Sequence, residues 1–315
     1  MAKMPHSAVP GPARDFVGYG RDVPRVVWPG EARVAVNFVI NYEEGSEVQT
    51  SADGRNEEIL GEMVLGLGPG YRDLALESVY EYGSRAGVWR LQRLFDSRGV
   101  PVTVFAGAVA VERNPQVAAW LRDSSHEICS HGWRWEEVWK LSREEEREHI
   151  AAAVSSFQSY CGRRPLGWYC RYGPSVHTRE LLVEEGGFEY DADAYNDDLP
   201  YFDDVSGRRH LVVPYTFTYN DARFVTGTGY GGPGDFFDNL RRGFDQLWEE
   251  GARRPKMMSV GLHGRISGHP ARAMGLARFL DHIRDHDDVW VCRRDEIARH
   301  WTSEHPAAPS PERSA

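Results

Sequence analysis

The sequence predicts a single α/β domain built around a parallel β-sheet. Two observations carry this prediction. Short apolar runs of strand length alternate with segments of helical periodicity, and no Pro- or Ser-rich linker interrupts them. The chain of 315 residues, 41% of them hydrophobic, is long enough to bury one sizeable core. The alternation fits a closed barrel and an open doubly wound sheet equally well.

The predicted elements follow one another from residue 34 to residue 291. Gly99 is a stop signal after the first helical pattern, and Ser142 with Glu145 forms a capping box at the start of a long helix. The predicted strands span residues 34–40, 102–105, 127–129, 166–170, 210–213, 257–262 and 289–291. The predicted helices span residues 87–97, 115–122, 142–160, 179–185, 235–250 and 271–285.

The two ends of the chain differ from the region between them. Residues 1–14 contain Pro and Ala without periodicity, and residues 303–315 are rich in Pro, Ser and charged side chains. We therefore expect a flexible N-terminal segment over 1–14, one domain over 15–302 and a disordered C-terminal tail over 303–315.

Composition argues against several classes of partner. The formal net charge of −10 and a pI near 5.7 are unsuited to binding nucleic acid or an anionic membrane surface. No apolar run approaches the roughly 20 residues of a membrane span, and the first twenty residues lack the apolar core of a signal peptide. The four cysteines form no C-x-x-C pair, which favours buried, reduced thiols. These features predict a cytoplasmic protein.

Polar side chains follow three of the predicted strands. Asn41, Glu43 and Glu44 come after the first strand, His131 follows the strand 127–129, and His263 follows the strand 257–262. The carboxyl ends of parallel strands meet on one side of a sheet or barrel, where active sites collect. We expect these side chains to share one site.

The segment after His131 lacks one ligand of a typical metal site. Two histidines four residues apart would lie on one helical face and could bind a metal, but the position four beyond His131 is Trp135. At most three protein ligands then remain, namely Glu43, Glu44 and His131. Three ligands suffice for a catalytic Zn²⁺, so a divalent metal such as Zn²⁺ stays an open alternative.

The segments Asn-Tyr-Glu-Glu-Gly at 41–45 and His-Gly-Trp-Arg-Trp at 131–135 resemble those of a known family. They are similar to the polysaccharide deacetylase (NodB-homology) superfamily and, within it, to the branch of PuuE-type allantoinases. Further matching segments lie at 15–20, 195–200, 213–216, 255–259, 261–263 and 297–301, so the resemblance covers nearly the whole chain. It implies that residues 15–302 form one catalytic domain, an incomplete, seven-stranded β/α barrel.

The resemblance also implies roles for Glu43, Glu44, His131 and His263. In the deacetylases one acid acts as base and a neighbouring acid holds the metal. Alignment on Gly45 pairs these acids with Glu43 and Glu44, while a D-x-D frame pairs them with Asn41 and Glu43. Both frames contain Glu43, the predicted base. PuuE-type enzymes carry the same Trp in place of the second His and are understood to act without a metal, so no cofactor is expected.

The two histidines and nearby side chains complete the predicted site. His131 matches the first metal His of the superfamily, and a His at position 263 assists as general acid or orients the substrate. Arginines suit carbonyl oxygens, and tryptophans suit the faces of a flat ring. The predicted substrate-binding residues are Asn41, Arg134, Trp135, Trp168, Arg171 and Arg265.

These features predict a hydrolase of non-peptide amide C–N bonds that opens a cyclic ureide or imide, with a small-molecule substrate. The loops 170–175 and 264–270 differ from the PuuE-type pattern, so the ring that is cleaved is left open. The alternatives are a metal-dependent carbohydrate N-deacetylase and a non-catalytic small-molecule-binding member of the family. The resemblance implies a homo-oligomer, either a dimer or a tetramer.

Overall fold

Strand β1 (Val34–Tyr42), nine residues long, is fully buried in a curled sheet. The computed structural model describes residues 11–49, Asp53, Leu67 and 71–306. The other strands are β2 (Thr103–Ala106), β3 (Glu127–Ser130), β4 (Gly167–Trp168), β5 (Tyr190–Asp191), β6 (Tyr201–Val205), β7 (Arg208–Val212), β8 (Lys256–His263) and β9 (Val289–Val291). Seven parallel strands lie in the order β7-β5-β4-β3-β2-β1-β8. Strand β6 adds an antiparallel edge beside β7, and β9 pairs with the first residues of β1.

Helices connect the parallel strands, as the alternation in the sequence predicts. They are α1 (Leu74–Tyr82), α2 (Val88–Asp96), α3 (Ala108–Arg113), α4 (Pro115–Asp123), α5 (Arg143–Cys161), α6 (Thr178–Glu185), α7 (Pro233–Gly251), α8 (Gly264–Ser267), α9 (Pro270–Arg284) and α10 (Arg294–Glu304). A π-helical turn, Gly83–Gly87, joins α1 to α2. The capping box at Ser142 begins α5 as predicted. Within the described residues, no helix is long and apolar enough to cross a membrane.

The predicted incomplete β/α barrel is confirmed. The strand order runs from β6 to β8 without returning to its start, so the seven parallel strands curl into a half-barrel. Strand β1 pairs with three parallel neighbours. Strand β8 pairs along nearly its whole length, whereas β2 and β9 pair with opposite halves of it. These pairings cover both edges of β1.

Side chains alternate along β1 between two cores, as expected for a strand covered on both faces. The even-numbered residues from Val34 to Tyr42 pack with the helices. Ala35 and Val39 belong instead to the core inside the barrel. Asn37 lies in the same inward-facing row, and the row ends at Asn41 and Glu43. This alternation explains why a buried strand carries two polar side chains.

The inward-facing polar row meets a buried arginine, Arg294, at the start of α10. Its Nη1 donates to Asn37 Oδ1 at 3.0 Å and to Ser259 Oγ at 2.9 Å. Its Nη2 donates to the carbonyl oxygens of Val213 and Pro214. Arg294 is fully buried, so this one guanidinium links β1, β8 and the segment after β7 inside the barrel.

Glycines allow α8 to approach the π-helical turn closely. A Cβ atom at Gly87 would overlap the carbonyl oxygen of Gly264, and a Cβ atom at Gly83 would overlap the carboxylate of Glu44. The backbone N–H of Arg265, in α8, donates to Glu44 Oε1 at 3.1 Å. The contact between glycines therefore fixes where α8 delivers the Arg265 side chain.

Several of the observed helices and strands are not predicted by the sequence, and others begin or end at different residues. Helices α1, α3, α8 and α10 and strands β5 and β6 have no counterpart among the predicted segments. Helix α10 continues to Glu304, two residues into the predicted tail, because Trp301 is buried in the core and anchors the last turns. Residues 1–10 of the predicted N-terminal segment and 307–315 of the predicted tail lie outside the described residues.

Replacement of Arg294 by Met tests its role inside the barrel. Met keeps most of the apolar length but leaves four buried oxygen atoms without a donor, so we expect the free energy of unfolding to fall by about 2–4 kcal/mol. Denaturant unfolding measures it. Arg299→Met, on the same helix but 52% exposed, is the matched control and should be nearly neutral. Equal, small effects of the two changes would show that Arg294 does not tie the strands together.

Candidate active site

Three of the predicted catalytic side chains meet at the carboxyl ends of the strands. Glu43 follows β1, His131 follows β3 and His263 ends β8. Loops after parallel strands lie on one side of the barrel, so these side chains share its mouth. Their exposed fractions are 2%, 2% and 7%, so their charges act on one another with little screening by water.

The Glu43 carboxylate is the centre of this group. Its Oε1 atom lies 3.2 Å from Nε2 of His131 and 3.4 Å from Nε2 of His263. Its Oε2 atom lies 2.7 Å from Nη1 of Arg265, without the alignment of a hydrogen bond. Glu43 therefore touches three nitrogen-bearing side chains and keeps lone pairs on Oε2 for a further donor.

The charge state of Glu43 follows from these neighbours. Burial raises the pKa of a carboxyl group, but the positive charges of Arg265 and His263 and the contacts with both histidines outweigh it. The pKa of Glu43 is held well below its usual value as a result. Glu43 is a carboxylate throughout the neutral pH range.

His263 is held by an aspartate from the turn Asp221–Phe224. Asp221 Oδ1 lies 2.6 Å from His263 Nδ1, and Oδ2 accepts hydrogen bonds from the backbone N–H groups of His263 and Ser267. Burial lowers the pKa of His263, but Glu43 and Asp221 together raise it to about 9. At neutral pH His263 is an imidazolium, with a proton on the Nε2 atom that faces Glu43.

His131 is oriented by the backbone of Tyr169. Its Nδ1 atom lies 2.9 Å from the Tyr169 carbonyl oxygen. A carbonyl oxygen only accepts, so Nδ1 carries a proton and the ring points Nε2 at Glu43. The Phe105 ring packs edge-on against His131 at a centroid separation of 6.1 Å. This side chain is therefore fixed both by a hydrogen bond and by packing.

Glu44 lies in the turn that follows β1 and, unlike Glu43, does not line the cavity in front of the histidines. It accepts the backbone N–H of Glu43 at Oε2 and that of Arg265 at Oε1. Burial raises the pKa of Glu44. Of the two alignment frames, the one that contains Asn41 and Glu43 matches the inward-facing row, whereas Glu44 supports Arg265 from behind.

A small cavity of about 60 Å³ lies in front of Glu43, His131 and His263. This volume holds about two water molecules. An outer cavity of about 500 Å³ shares Tyr172 and Phe217 with it. The aromatic walls of the inner cavity are Trp135, Tyr169, Tyr172, Tyr215 and Phe217. Tyr172 and Phe217, which line both cavities, are partly exposed at the mouth.

Asn41, Trp135 and Arg265 line the inner cavity as predicted substrate-binding residues would. Asn41 Nδ2 donates to the Tyr215 hydroxyl at 3.0 Å and to the Leu262 carbonyl at 3.1 Å, which fixes the side of the cavity nearest β8. The Arg265 guanidinium lies over the Trp135 ring at 5.3 Å. Trp135 thus forms a wall against which Arg265 rests.

Three other predicted substrate-binding residues lie outside this cavity. Trp168 was predicted to wall the substrate, but it faces the helices, packs edge-on against Phe188 and contacts Cys170 Sγ with its Nε1. The alternation along β4 turns the next residue, Tyr169, inward instead. Arg134 makes an ion pair with Asp53 at 2.6 Å, away from the cavity.

Arg171 occupies an intermediate position. Its guanidinium stacks on Trp135 at 4.2 Å and donates to the Trp135 carbonyl oxygen at 3.1 Å. It is 3% exposed and does not line the inner cavity. Arg171 therefore holds Trp135 in place rather than reaching the reacting group.

His131 and the two glutamates do not fit a metal ion. The Arg265 guanidinium lies 2.7 Å from Glu43 and 3.6 Å from Glu44, so a cation already serves both carboxylates. A divalent ion in the same place would be repelled by this arginine at short range. Trp135 offers no ligand atom.

Sequence reasoning missed three residues of the site. Asp221 lies in a turn far from any predicted strand, and no pattern in residues 214–224 marks it as a partner of His263. Tyr169 lies in the predicted strand 166–170, and Tyr215 lies in the segment 213–216 that resembles the family. Neither pattern shows that these side chains face inward. Counting the side-chain alternation from Val213, which faces the interior, leads to Tyr215, but the inward direction of Val213 is known only from the structure.

The similarities to known proteins agree with this fold. A family model described as polysaccharide deacetylase matches residues 74–190. The crystal structure of PuuE allantoinase has a TM-score of 0.90 and 47% identity, covering 94% of this chain and 99% of that chain. A probable polysaccharide deacetylase from Pseudomonas aeruginosa PAO1 gives a TM-score of 0.90 at 49% identity, with the same coverage.

A curated relative decides the family. A protein of Schizosaccharomyces pombe, named as a polysaccharide deacetylase, is 37% identical over 316 residues, which is 93% of this chain and 98% of that protein. Identity of this degree over nearly the full length of both proteins leaves no separate region of the chain unaccounted for. This chain belongs to the polysaccharide deacetylase family.

Proposed function

We propose that this protein hydrolyses a non-peptide amide C–N bond and opens the ring of a cyclic ureide or imide, without a metal. The observation that carries the proposal is the Glu43 carboxylate enclosed by His131, His263 and Arg265. These groups supply a proton acceptor, a proton donor and a fixed positive charge at one point. The 47% identity to PuuE allantoinase supports ring opening as the reaction.

Water attack is assigned to Glu43. A water molecule in the inner cavity gives a proton to the Glu43 carboxylate as its oxygen bonds to the substrate carbonyl carbon. The carbonyl oxygen becomes an oxyanion, which Arg265 stabilises. A low pKa makes Glu43 a weak base at rest, but the developing oxyanion offsets part of the Arg265 charge and so strengthens the base at the moment of attack.

Departure of the nitrogen is assigned to His263. The C–N bond breaks, its electron pair stays on nitrogen, and the Nε2 proton of His263 moves to that nitrogen. Glu43 Oε1 lies 3.4 Å from the same Nε2 atom, so the proton taken from water can pass to His263. This transfer restores both groups and leaves a carboxylic acid and a ring-opened amide nitrogen as products.

The burial and the aromatic walls of the site favour a small, flat substrate over a polymer. The reacting groups are buried behind Tyr172 and Phe217, and the cavity walls are aromatic faces. A planar ring stacks on such faces, and its carbonyl and N–H groups can reach Arg265 and Glu43. A polysaccharide chain requires a groove open at both ends.

The expected homo-oligomer, a dimer or a tetramer, stays a prediction.

Substitutions at the two glutamates separate the base from its support. Glu43→Gln keeps the size of the side chain but removes the proton acceptor, so we expect turnover to fall by about 10²–10⁴-fold. Glu44→Gln, which removes a carboxylate outside the cavity, is the matched control and should cost much less. Steady-state rates with a ring substrate measure both. Comparable small losses would rule out Glu43 as the base.

The pKa of His263 predicts a pH profile. The group that protonates the leaving nitrogen must carry its proton, so kcat/KM should be maintained below pH about 9 and fall as pH rises through that value. Glu43 titrates well below its usual range, so the acidic limb should lie below pH 4.5. His263→Gln should remove the basic limb and lower the plateau.

His149 provides a control for this profile. Hydrogen bonding to Glu136 raises its pKa too, but it lies outside the site. His149→Gln should leave the profile unchanged. A basic limb that persists in His263→Gln would show that another group donates the proton.

A substrate panel tests the reaction itself. Protein dialysed against a chelator is incubated with allantoin, hydantoin, succinimide and N-acetylglucosamine oligomers, and products are followed by NMR. We expect ring opening of at least one cyclic substrate in the presence of chelator and no release of acetate. Glu43→Gln protein provides the background rate.

Two outcomes contradict the proposal. Acetate release that depends on added Zn²⁺ or Co²⁺ would identify a metal-dependent carbohydrate deacetylase, as the names of several relatives suggest. Saturable binding of a ring compound without turnover would identify a non-catalytic member of the family.

A further inference from the structure

The geometry points to a site for a borderline divalent cation, such as Zn²⁺, formed by Asp245, His282 and His286 far from the mouth of the barrel. Asp245 lies on α7, His282 lies in the last turn of α9, and His286 follows that helix. One ligand atom from each residue lies within 4.8 Å of the other two. Among the described residues, this is the one such group of His, Cys, Asp or Glu side chains.

The spacing is close to that of a bound zinc ion. Zn²⁺ takes His nitrogen and carboxylate oxygen at about 2.0–2.2 Å, which places neighbouring ligands of a tetrahedral site roughly 3.3–3.5 Å apart. His282 Nε2 already lies 2.7 Å from Asp245 Oδ1. Binding therefore requires that this hydrogen bond open slightly and that the three ligand atoms, which lie within 4.8 Å of one another, adjust to the ion. Rotation of partly exposed side chains supplies such shifts.

The protonation of His286 suits a ligand. Its Nδ1 atom lies 3.1 Å from the His282 carbonyl oxygen, which can only accept, so Nδ1 carries the proton in the neutral ring. The Nε2 lone pair is then available for a metal. Histidine ligands typically donate their other ring N–H to a carbonyl oxygen or carboxylate in this way.

Aromatic packing fixes the two imidazole rings. Phe244 contacts His282 and His286 edge-on, at centroid separations of 5.7 and 5.0 Å. Trp248 contacts His286 at 5.1 Å. Because these contacts restrict both rings before any ion is present, less conformational entropy is lost on binding.

The helix dipole and the ligand types favour a transition-metal cation. His282 and His286 lie at the carboxyl end of α9, where the helix dipole is negative. Arg241 Nη1 lies 3.0 Å from Asp245 Oδ2 and weakens the attraction of Asp245 for a cation, but it contacts the oxygen that faces away from the cluster and leaves Oδ1 directed at His282. Two imidazoles and one carboxylate form a ligand set that prefers Zn²⁺, Ni²⁺, Co²⁺ or Cu²⁺ over Mg²⁺ or Ca²⁺.

The position of the cluster indicates a structural role. Strand β9 begins three residues after His286 and pairs with Val34, the first residue of β1. The cluster therefore lies at the amino ends of the strands, opposite the site around Glu43. A bound ion would join α7 to α9 and stabilise their packing on the sheet. This inference is independent of the proposed reaction.

Metal binding to the full-length, untagged protein provides the test. Protein freed of metal by chelator is titrated with ZnCl₂ by calorimetry, and its Tm is recorded with and without Zn²⁺. We expect one strong site per chain and a rise in Tm of about 3–6 °C when free Zn²⁺ is near 100 times its Kd. Co²⁺ in its place should give the visible spectrum of nitrogen and oxygen coordination, without thiolate bands.

Single substitutions locate the ion. His286→Gln and His282→Gln should each weaken Zn²⁺ binding by at least about 10-fold and abolish the rise in Tm. His149→Gln is the matched control, because His149 also lies 2.7 Å from a carboxylate and is equally exposed, but belongs to no three-residue group within the described chain. It should bind Zn²⁺ like the unaltered protein.

Other results would overturn the assignment. If both cluster variants bind Zn²⁺ with unchanged affinity, or if His131→Gln abolishes binding, the ion lies elsewhere. Asp245→Asn serves as a third variant if a histidine variant fails to fold. Metal analysis of the His286→Gln protein then reports on the Glu43 site alone, so a metal bound there can be distinguished from one bound by the cluster.

Discussion

The contact between Glu43 and Arg265 is the constraint on which the rest of the site depends. A carboxylate with 2% exposure is stable only if positive charge lies beside it, and Arg265 supplies that charge at 2.7 Å. Arg265 reaches this position because α8 packs on glycines of the π-helical turn. The same guanidinium takes the space in which a metal ion would serve these acids. The packing of α8 therefore determines that an arginine neutralises these two carboxylates.

The buried charges also determine which groups at the site carry a proton. Glu43 is held ionised, while Asp221 and Glu43 hold His263 protonated. A base and an acid of fixed charge thus face one cavity at neutral pH. Deeper in the barrel, Arg294 satisfies carbonyl and side-chain oxygens of three neighbouring segments and keeps the strands beneath the site together. Arg265 therefore stabilises the charged groups at the mouth of the barrel, and Arg294 stabilises the strands beneath them.

Periodicity in the sequence predicted much of the fold, since most parallel strands and their helices coincide with apolar runs of the right length. It failed where an element is too short or too polar to show a period. Strand β5 has two residues, and β6 (Tyr201–Val205) contains two aspartates. In the same way Glu43, His131 and His263 could be predicted from the strand ends, but Asp221 could not, because its partner lies 42 residues away.

The sequence by itself determined the β/α architecture, the family and the residues that end the strands, because these follow from local patterns and short segments. Only the tertiary structure decided which side chains face the barrel interior, since the direction depends on where each strand begins. It turned Glu43 and Tyr169 inward and Glu44 and Trp168 outward. It also paired His263 with Asp221 and brought Asp245 to His282, because contacts between distant segments form only when the sheet curls and its helices pack.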